Sequence, residues 1–370
     1  DVTASGVREV TDGHLGGTFV ETPMRLGPWQ AADGTLYFII EPAETWNRPM
    51  MVASTDGGRS WREIDGANRP RTGDLEGLAT AFVDGRIHVL HQISEAVLYH
   101  AFDTADRVDG PGRWVIRDET VASMPAPPTQ VVDVAVRGDG SIVTVYGAGD
   151  GLRLRIRAAD GDWGPETPIE EAADVVLSGP TMATGADDVV HLAYTAGDGS
   201  ARYRRLDSDG ALGAPVRVTD DLATGDADVG ALLPLQIVDG AVALLYRNTD
   251  GHLHERRREE NGRWSEAVRV APQVVVQNAV DSDQVGADAI VDRDTLHVLF
   301  IDAATGHLLH VAGRDGEWSA PDPVVTDGTV QWVRGRVIET PDGARVYGFV
   351  FDAGSNGGSG MNRYAELPLR

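Results

Sequence analysis

The sequence predicts an all-β fold: a seven-bladed β-propeller of four-stranded blades, its last blade closed by the N-terminal strand. Three observations predict it. A tight turn, usually Asp-Gly, recurs about every 50 residues ahead of an alternating apolar segment. A tryptophan follows five of these turns in register, roughly 25–30 residues on. The final unit is one strand short, and the N-terminal segment GVREVT can supply that strand.

The turns run in order along the chain. Asp33-Gly34 precedes LYFII, Asp84-Gly85 precedes IHVLH, and Asp139-Gly140 precedes IVTVY. Asp187-Asp188 then precedes VHLAY, Asp239-Gly240 precedes VALLY, Asp294 precedes LHVLF, and Asp342-Gly343 precedes RVYGF. The tryptophans are Trp61, Trp114, Trp163, Trp264 and Trp318, with Leu212 in the fourth unit. A Trp opening a strand at this spacing is expected to pack between adjacent sheets. Each unit therefore reads as an inner strand, a second apolar strand, a more polar third strand such as LRLRIRA or ARYRRLD, and an outer strand opening with Trp. One domain over 1–370 follows, with blades at about 22–72, 73–128, 129–175, 176–225, 226–279, 280–328 and 329–370, and the closing strand at about 5–12.

Composition narrows the chemistry. All 32 basic residues are arginine, so no Schiff-base lysine or P-loop lysine is present. There is no Cys, hence no disulfide, thiolate metal site or thiol nucleophile. A net charge of −25 argues against nucleic acid or an anionic membrane as the main partner. No apolar run reaches the roughly 18 residues of a membrane span, so membrane insertion is not expected. The chain opens at Asp1, as an exported, processed protein or a trimmed one would. A secreted or extracytoplasmic monomer is the expectation.

Residues 54–61 read Ser-Thr-Asp-Gly-Gly-Arg-Ser-Trp, matching S-x-D-x-G-x-x-W in full. On this motif and the blade pattern the chain resembles the Asp-box (BNR-repeat) superfamily. That superfamily holds sialidases and related glycosidases, seven-bladed polysaccharide lyases of the ulvan-lyase type, and some lectins; the lyases are nearest in outline. The resemblance implies that Ser54, Asp56 and Trp61 staple a turn away from any active site. The segment TPMRLGPWQAADGTLYFI also resembles the sialidase opening, with Arg25 at the place of that family's first arginine, though Leu-Gly-Pro follows it.

Columns of the repeat nominate site residues. At the end of the second strand stand Ile40, His91, Tyr146, Tyr194, Tyr246, Phe300 and Phe349, a packing ring in which His91 is the exception able to move a proton near neutrality. One residue on, Glu41, Gln92 and Arg247 are polar. Eight to ten residues before the turns, Arg25, Glu76, Gln284 and Arg334 come from neighbouring blades, and charges gathered at an axis need pairing or a ligand. In the loop after Glu41, Trp46 is placed to stack on a sugar ring and Arg48 to bind its carboxylate. Asp226/Asp228 and Asp281/Asp283 have D-x-D spacing that suits turn capping or, more weakly, Ca²⁺; no cofactor is otherwise expected. His88, His191 and His297 occupy matched mid-strand positions and read as packing.

These residues suggest an enzyme cleaving an acidic, uronate-containing glycan by β-elimination. Arg25, Arg334 and Arg247 would neutralise the carboxylate, with His91 and Tyr246 as base and acid, and Glu41, Trp46, Arg48, Glu76 and Gln92 as further substrate contacts. A sialidase-like exo-glycoside hydrolase using Glu41 and Glu76 is the alternative. A non-catalytic, lectin-like propeller is the third reading. Polar positions that differ from blade to blade favour one central site over repeated ones.

Overall fold

The computed structural model describes residues 5–9, 25–40, 50–65, 68–71, 77–105, 112–123, 131–149, 151–171, 179–223, 230–277, 285–352 and 362–369. Seven antiparallel sheets form a ring, a seven-bladed β-propeller. The inner strands are Trp29–Gln30, Leu78–Val83, Val132–Val136, Thr181–Thr184, Gln236–Val238, Ala287–Asp292 and Val333–Glu339 for blades 1 to 7. In blade 7 the strand Ser5–Glu9 lies antiparallel on Asn362–Pro368, pairing Arg8 with Tyr364 and Glu9 with Arg363. The two ends of the chain thus share one sheet, and the ring has no open seam there. No helix among the described residues is long and apolar enough to cross a membrane.

Burial falls from axis to rim, which explains the polarity of each strand. Second strands such as Ile142–Ala148 and Leu36–Ile40 are sandwiched between neighbouring sheets and buried on both faces. Third strands alternate, as in Leu253–Arg258, and outer strands such as Val216–Thr219 are half exposed. The apolar clusters lie between blades; one joins Phe38 and Val52 of blade 1 to Val89 and Phe102 of blade 2.

Two hairpin types separate the inner and second strands. Asp84-Gly85 and Asp239-Gly240 are two-residue turns with both residues in the left-handed region (φ 50° and 76°, 49° and 78°), the geometry that matches strand twist. The remaining Asp-Gly pairs sit inside longer loops. In these, Asp33 accepts from the Thr35 amide at 3.1 Å and Asp139 from the Ser141 amide at 2.8 Å.

Four of the recurring tryptophans bridge blades, as the sequence led us to expect, whereas Trp114 meets His100 and Phe102 of its own blade. Trp163 of blade 3 meets Tyr99 of blade 2 edge-on at 5.9 Å, and its indole N–H donates to Glu119 at 2.7 Å. Trp264 of blade 5 meets Tyr203 of blade 4 at 5.4 Å, and Trp61 of blade 1 meets Tyr364 of blade 7 at 5.6 Å. Arginines add a second inter-blade tie. The Arg155 Nε donates to Gly164 O in its own blade at 2.9 Å, while its Nη1 donates to Val121 O of blade 2. Arg204 repeats the arrangement with Gly213 O and with Ile169 O of blade 3. A planar fork can serve two carbonyls at once, which an ammonium cannot do with fixed geometry.

The turn at 54–61 is held by its aspartate. Asp56 Oδ1 accepts from Ser54 Oγ (2.8 Å) and from the Arg59 and Ser60 amides (3.0 and 2.9 Å), and Ser54 Oγ accepts from the Gly58 amide at 2.8 Å. The mid-strand histidines also pack. His88 and His191 each lie 2.7 Å from a tyrosine hydroxyl, of Tyr99 and Tyr203, and burial pushes both pKa values down to about 4. His297 contacts His310 at 3.1 Å.

Candidate functional site

Strand register sets which side chains share a level of the axis. Ala79, Asp133, Thr181, Asp288 and Arg336 lie opposite Leu90, Val145, Ala193, Leu299 and Gly348. Each of those partners immediately precedes the end-of-second-strand column, so the five occupy equivalent positions in their blades. Two acids and a cation at one level of a narrow axis require mutual neutralisation.

Arg25 supplies part of it. Its Nη1 lies 3.4 Å from Asp133 Oδ2, and its Nη2 donates to Leu235 O at 3.0 Å. These groups belong to blades 1, 3 and 5, which are not neighbours, so the side chain crosses the axis. Asp133 also accepts from the amides of Val134 (2.9 Å) and Met182. Burial pushes its pKa up to about 6, with the Arg25 cation pulling the other way.

Arg336 is the second axial cation. Its guanidinium carbon sits 4.8 Å over the Trp29 ring, and Trp29 in turn stacks on Phe82 at 5.9 Å. The Trp29 indole N–H is fixed by Thr80 Oγ1 at 2.9 Å. Arg336 Nη1 donates to Gly335 O at 2.6 Å and lies 3.8 Å from Asp288 Oδ2, while its Nη2 has no hydrogen-bond partner among the described residues. Burial lowers its pKa to about 10; Asp288 opposes that shift and Arg25 adds to it. Asp288 accepts from the Gly335 amide (2.8 Å) and the Tyr347 hydroxyl (3.1 Å). Arg334, two residues earlier, is fully buried and donates to Val333 O (2.7 Å) and Ala287 O (3.3 Å). A cavity of about 470 Å³ remains at the axis, lined among others by Arg25, Trp29, Phe82, Gln236, Ile290 and Arg336.

The sequence-nominated residues divide into three groups. Arg25 lines this cavity, while Arg334 is buried on the inner strand of blade 7 and does not line it. His91, Tyr246, Gln92 and Arg247 do not line it. His91 is fully buried on the second strand of blade 2, paired with Leu78 and Leu98, and its proximity adds to the depression of His100, whose pKa burial brings to about 3. Tyr246 is fully buried at the boundary of blades 4 and 5, 3.4 Å from Thr219 Oγ1 and stacked on His254. Gln92 donates to Gly147 O of blade 3 at 3.2 Å, and Arg247 to Val275 O and Gln277 Oε1, each at 2.8 Å. The proposed base and acid therefore sit in separate blade interfaces. The reason is topological: second-strand side chains point toward neighbouring sheets, and only inner strands border the axis. Glu41, Trp46, Arg48, Glu76, Gln284 and both Asp pairs lie outside the described residues. Among the described residues no group of three or more His, Asp or Glu side chains is arranged to hold a metal.

Asp133, Asp288, Arg336 and Trp29 do not stand out in the sequence columns. A signal for Asp133 and Arg336 existed two residues further along the inner strands, and for Asp288 and Trp29 four residues further. It was blurred because a two-residue hairpin sets the inner strand one residue out of step with a five-residue one, and one residue exchanges the faces of a strand.

No protein-family model matches the sequence, and comparison with curated proteins returns no relative. Solved structures do match. The BP39L lectin from Burkholderia pseudomallei superposes with a TM-score of 0.62 at 11% identity, covering 98% of this chain and 100% of the lectin. A PL25 ulvan lyase bound to -[GlcA(1-4)Rha3S]- gives 0.59 at 11% identity over 97% of this chain and 95% of the lyase. The six-bladed, fucose-recognising Aleuria aurantia lectin gives 0.52 at 12% identity over 85% of this chain and all of the lectin. At these identities the likeness establishes the propeller fold and leaves the activity to be argued from the site.

Proposed function

We propose that this propeller is a carbohydrate-directed protein that receives the carboxylate of an acidic sugar at its axis. One observation carries the reading: Arg25 and Arg336 converge on a single cavity beside the exposed edge of a Trp29–Phe82 stack. Paired guanidinium groups suit a carboxylate, and the edge of the aromatic stack can flank a sugar ring, the Trp29 ring itself being packed against Arg336 and Phe82. Among the described residues that line the cavity the charged ones are Arg25 and Arg336, both cations, inside a chain of net charge −25. Solved propellers of similar shape include a uronate-containing-glycan lyase and sugar-binding lectins, which supports a carbohydrate ligand.

Polysaccharide lyase activity is the finer reading. β-Elimination removes a proton α to a carboxylate, and neutralising that carboxylate is the costly part, which the arginine pair is suited to do. The base and acid would then come from groups nearer the axis than His91 and Tyr246. The test is incubation with a panel of uronate polysaccharides, following ultraviolet absorbance of the unsaturated product, reducing ends and binding. Absorbance with new ends identifies a lyase, ends alone a hydrolase, and binding alone a lectin. Arg336→Met should weaken uronate binding about 10–100-fold, the worth of one charge-assisted contact. Unchanged affinity in that variant, or no uronate ligand in the panel, refutes the proposal.

A further inference from the structure

We propose that the axial cavity is a blind socket entered from the hairpin face of the ring, and that it accepts the terminal acidic residue of a glycan rather than an internal one. This rests on the acidic-carbohydrate reading above and adds the direction of entry and the position of the recognised sugar.

The first support is the course of Arg25. Starting at the loop end of the blade 1 inner strand, its side chain reaches Asp133 of blade 3 and Leu235 O of blade 5, so it bars the axis at that depth. A chain threading through the ring would have to break both contacts. The second support is where the lining residues come from. Gln30 adjoins the blade 1 hairpin loop, Phe82 precedes Asp84-Gly85, Ile237 precedes Asp239-Gly240, and Val291 precedes the turn after Asp292. The space therefore belongs to the hairpin half of the inner strands, on the far side of Arg25 from the loops that enter them.

Strand register grades the cavity's chemistry along that direction. Phe82, Ile237 and Val291, with polar Gln30, come from the hairpin ends of their strands, and Arg25 and Arg336 lie further from the hairpins. Asp133 and Asp288, both buried behind those cations, orient them without reaching the space themselves. A sugar bearing a carboxylate at its leading edge fits this gradient, its ring passing the apolar rim and its charge meeting the cations. About 470 Å³ lies within the range of roughly 300–1,000 Å³ for small-ligand pockets and suits a short chain end.

The test compares three ligands by titration calorimetry: free glucuronic acid, an oligosaccharide ending in a uronate, and the same sugars with the uronate flanked on both sides by neutral residues. Terminal and free uronate should bind, and the flanked one at least about 10-fold more weakly. Ile237→Trp or Val291→Trp, which narrow the mouth from different blades, should each weaken the terminal ligand about 10-fold at an unchanged unfolding midpoint. Should either variant fail to fold, the ligand comparison on the wild type still decides. Equal affinity for terminal and flanked uronates overturns the socket while leaving the acidic-sugar reading in place. Absence of binding in all arms overturns both.

Discussion

Replacing Asp133 with Asn isolates the electrostatics of the axis. The carboxyl is buried, and its pKa is raised from 3.8 to about 6 mainly by desolvation. Between those values the folded protein holds a proton that the unfolded chain has released. Wild-type stability therefore falls as pH rises through the window: the destabilisation is absent below about pH 3.5 and complete above about pH 7. A rise of about two pKa units corresponds to about 3 kcal/mol. Asn cannot ionise, so it lacks this dependence. The substitution has its own pH-independent cost, because an amide N–H₂ replaces one acceptor facing the Met182 amide and Arg25. The readout is thus the change with pH in the difference between the two proteins. Asp65, also raised to about 6 by burial, is common to both and cancels. Urea unfolding followed by tryptophan fluorescence at pH 4, 5, 6 and 7 should show the wild type losing about 2.4 kcal/mol relative to Asp133→Asn across the series, the remainder falling below pH 4. A constant difference, or one that moves toward the wild type as pH rises, would mean that Arg25 more than offsets the burial, and the desolvation account would be refuted.

Two further predictions concern the blade interfaces. Trp163→Ala removes the contact with Tyr99 and the donor to Glu119, and should destabilise by about 2–4 kcal/mol, below the full cost of a wholly buried Trp because the ring is partly exposed; a denaturant midpoint unchanged from wild type would contradict its bridging role. Gly58→Ala should cost far more than Gly57→Ala, as read by thermal unfolding. Both residues have positive φ (78° and 73°), but a Cβ at Gly58 lands on the Tyr364 ring of blade 7, while one at Gly57 meets open space. Equal costs would show that backbone conformation alone sets the requirement.

The ring was legible because its signals are local and repeated. Asp-Gly before an alternating strand and Trp at the head of the outer strand each follow from a single hairpin or a single packing contact, and five copies of each reinforce one another. The closing strand was legible from the arithmetic of strands. The axis was only partly so. Arg25 and Arg334 stood out as charges on apolar strands, but Asp133, Asp288 and Arg336 became visible only once hairpin lengths were known, since register decides which alternate residues face a neighbour. His91 attracted attention for its chemistry, yet its role depends on which sheet face it occupies and what the next blade places there. A column of one sequence carries no such information.

Repeat proteins whose units touch only adjacent units unfold as a sum of nearest-neighbour terms, and unravelling starts at the weakest link. The Arg25 tether is of another kind. It connects the first blade to the third and fifth, so it exists only when the intervening circle is complete, and dislodging any one of those partners dissolves it. Its stabilisation belongs to the whole circle and not to any unit, which pushes the chain toward all-or-none melting and away from piecemeal fraying.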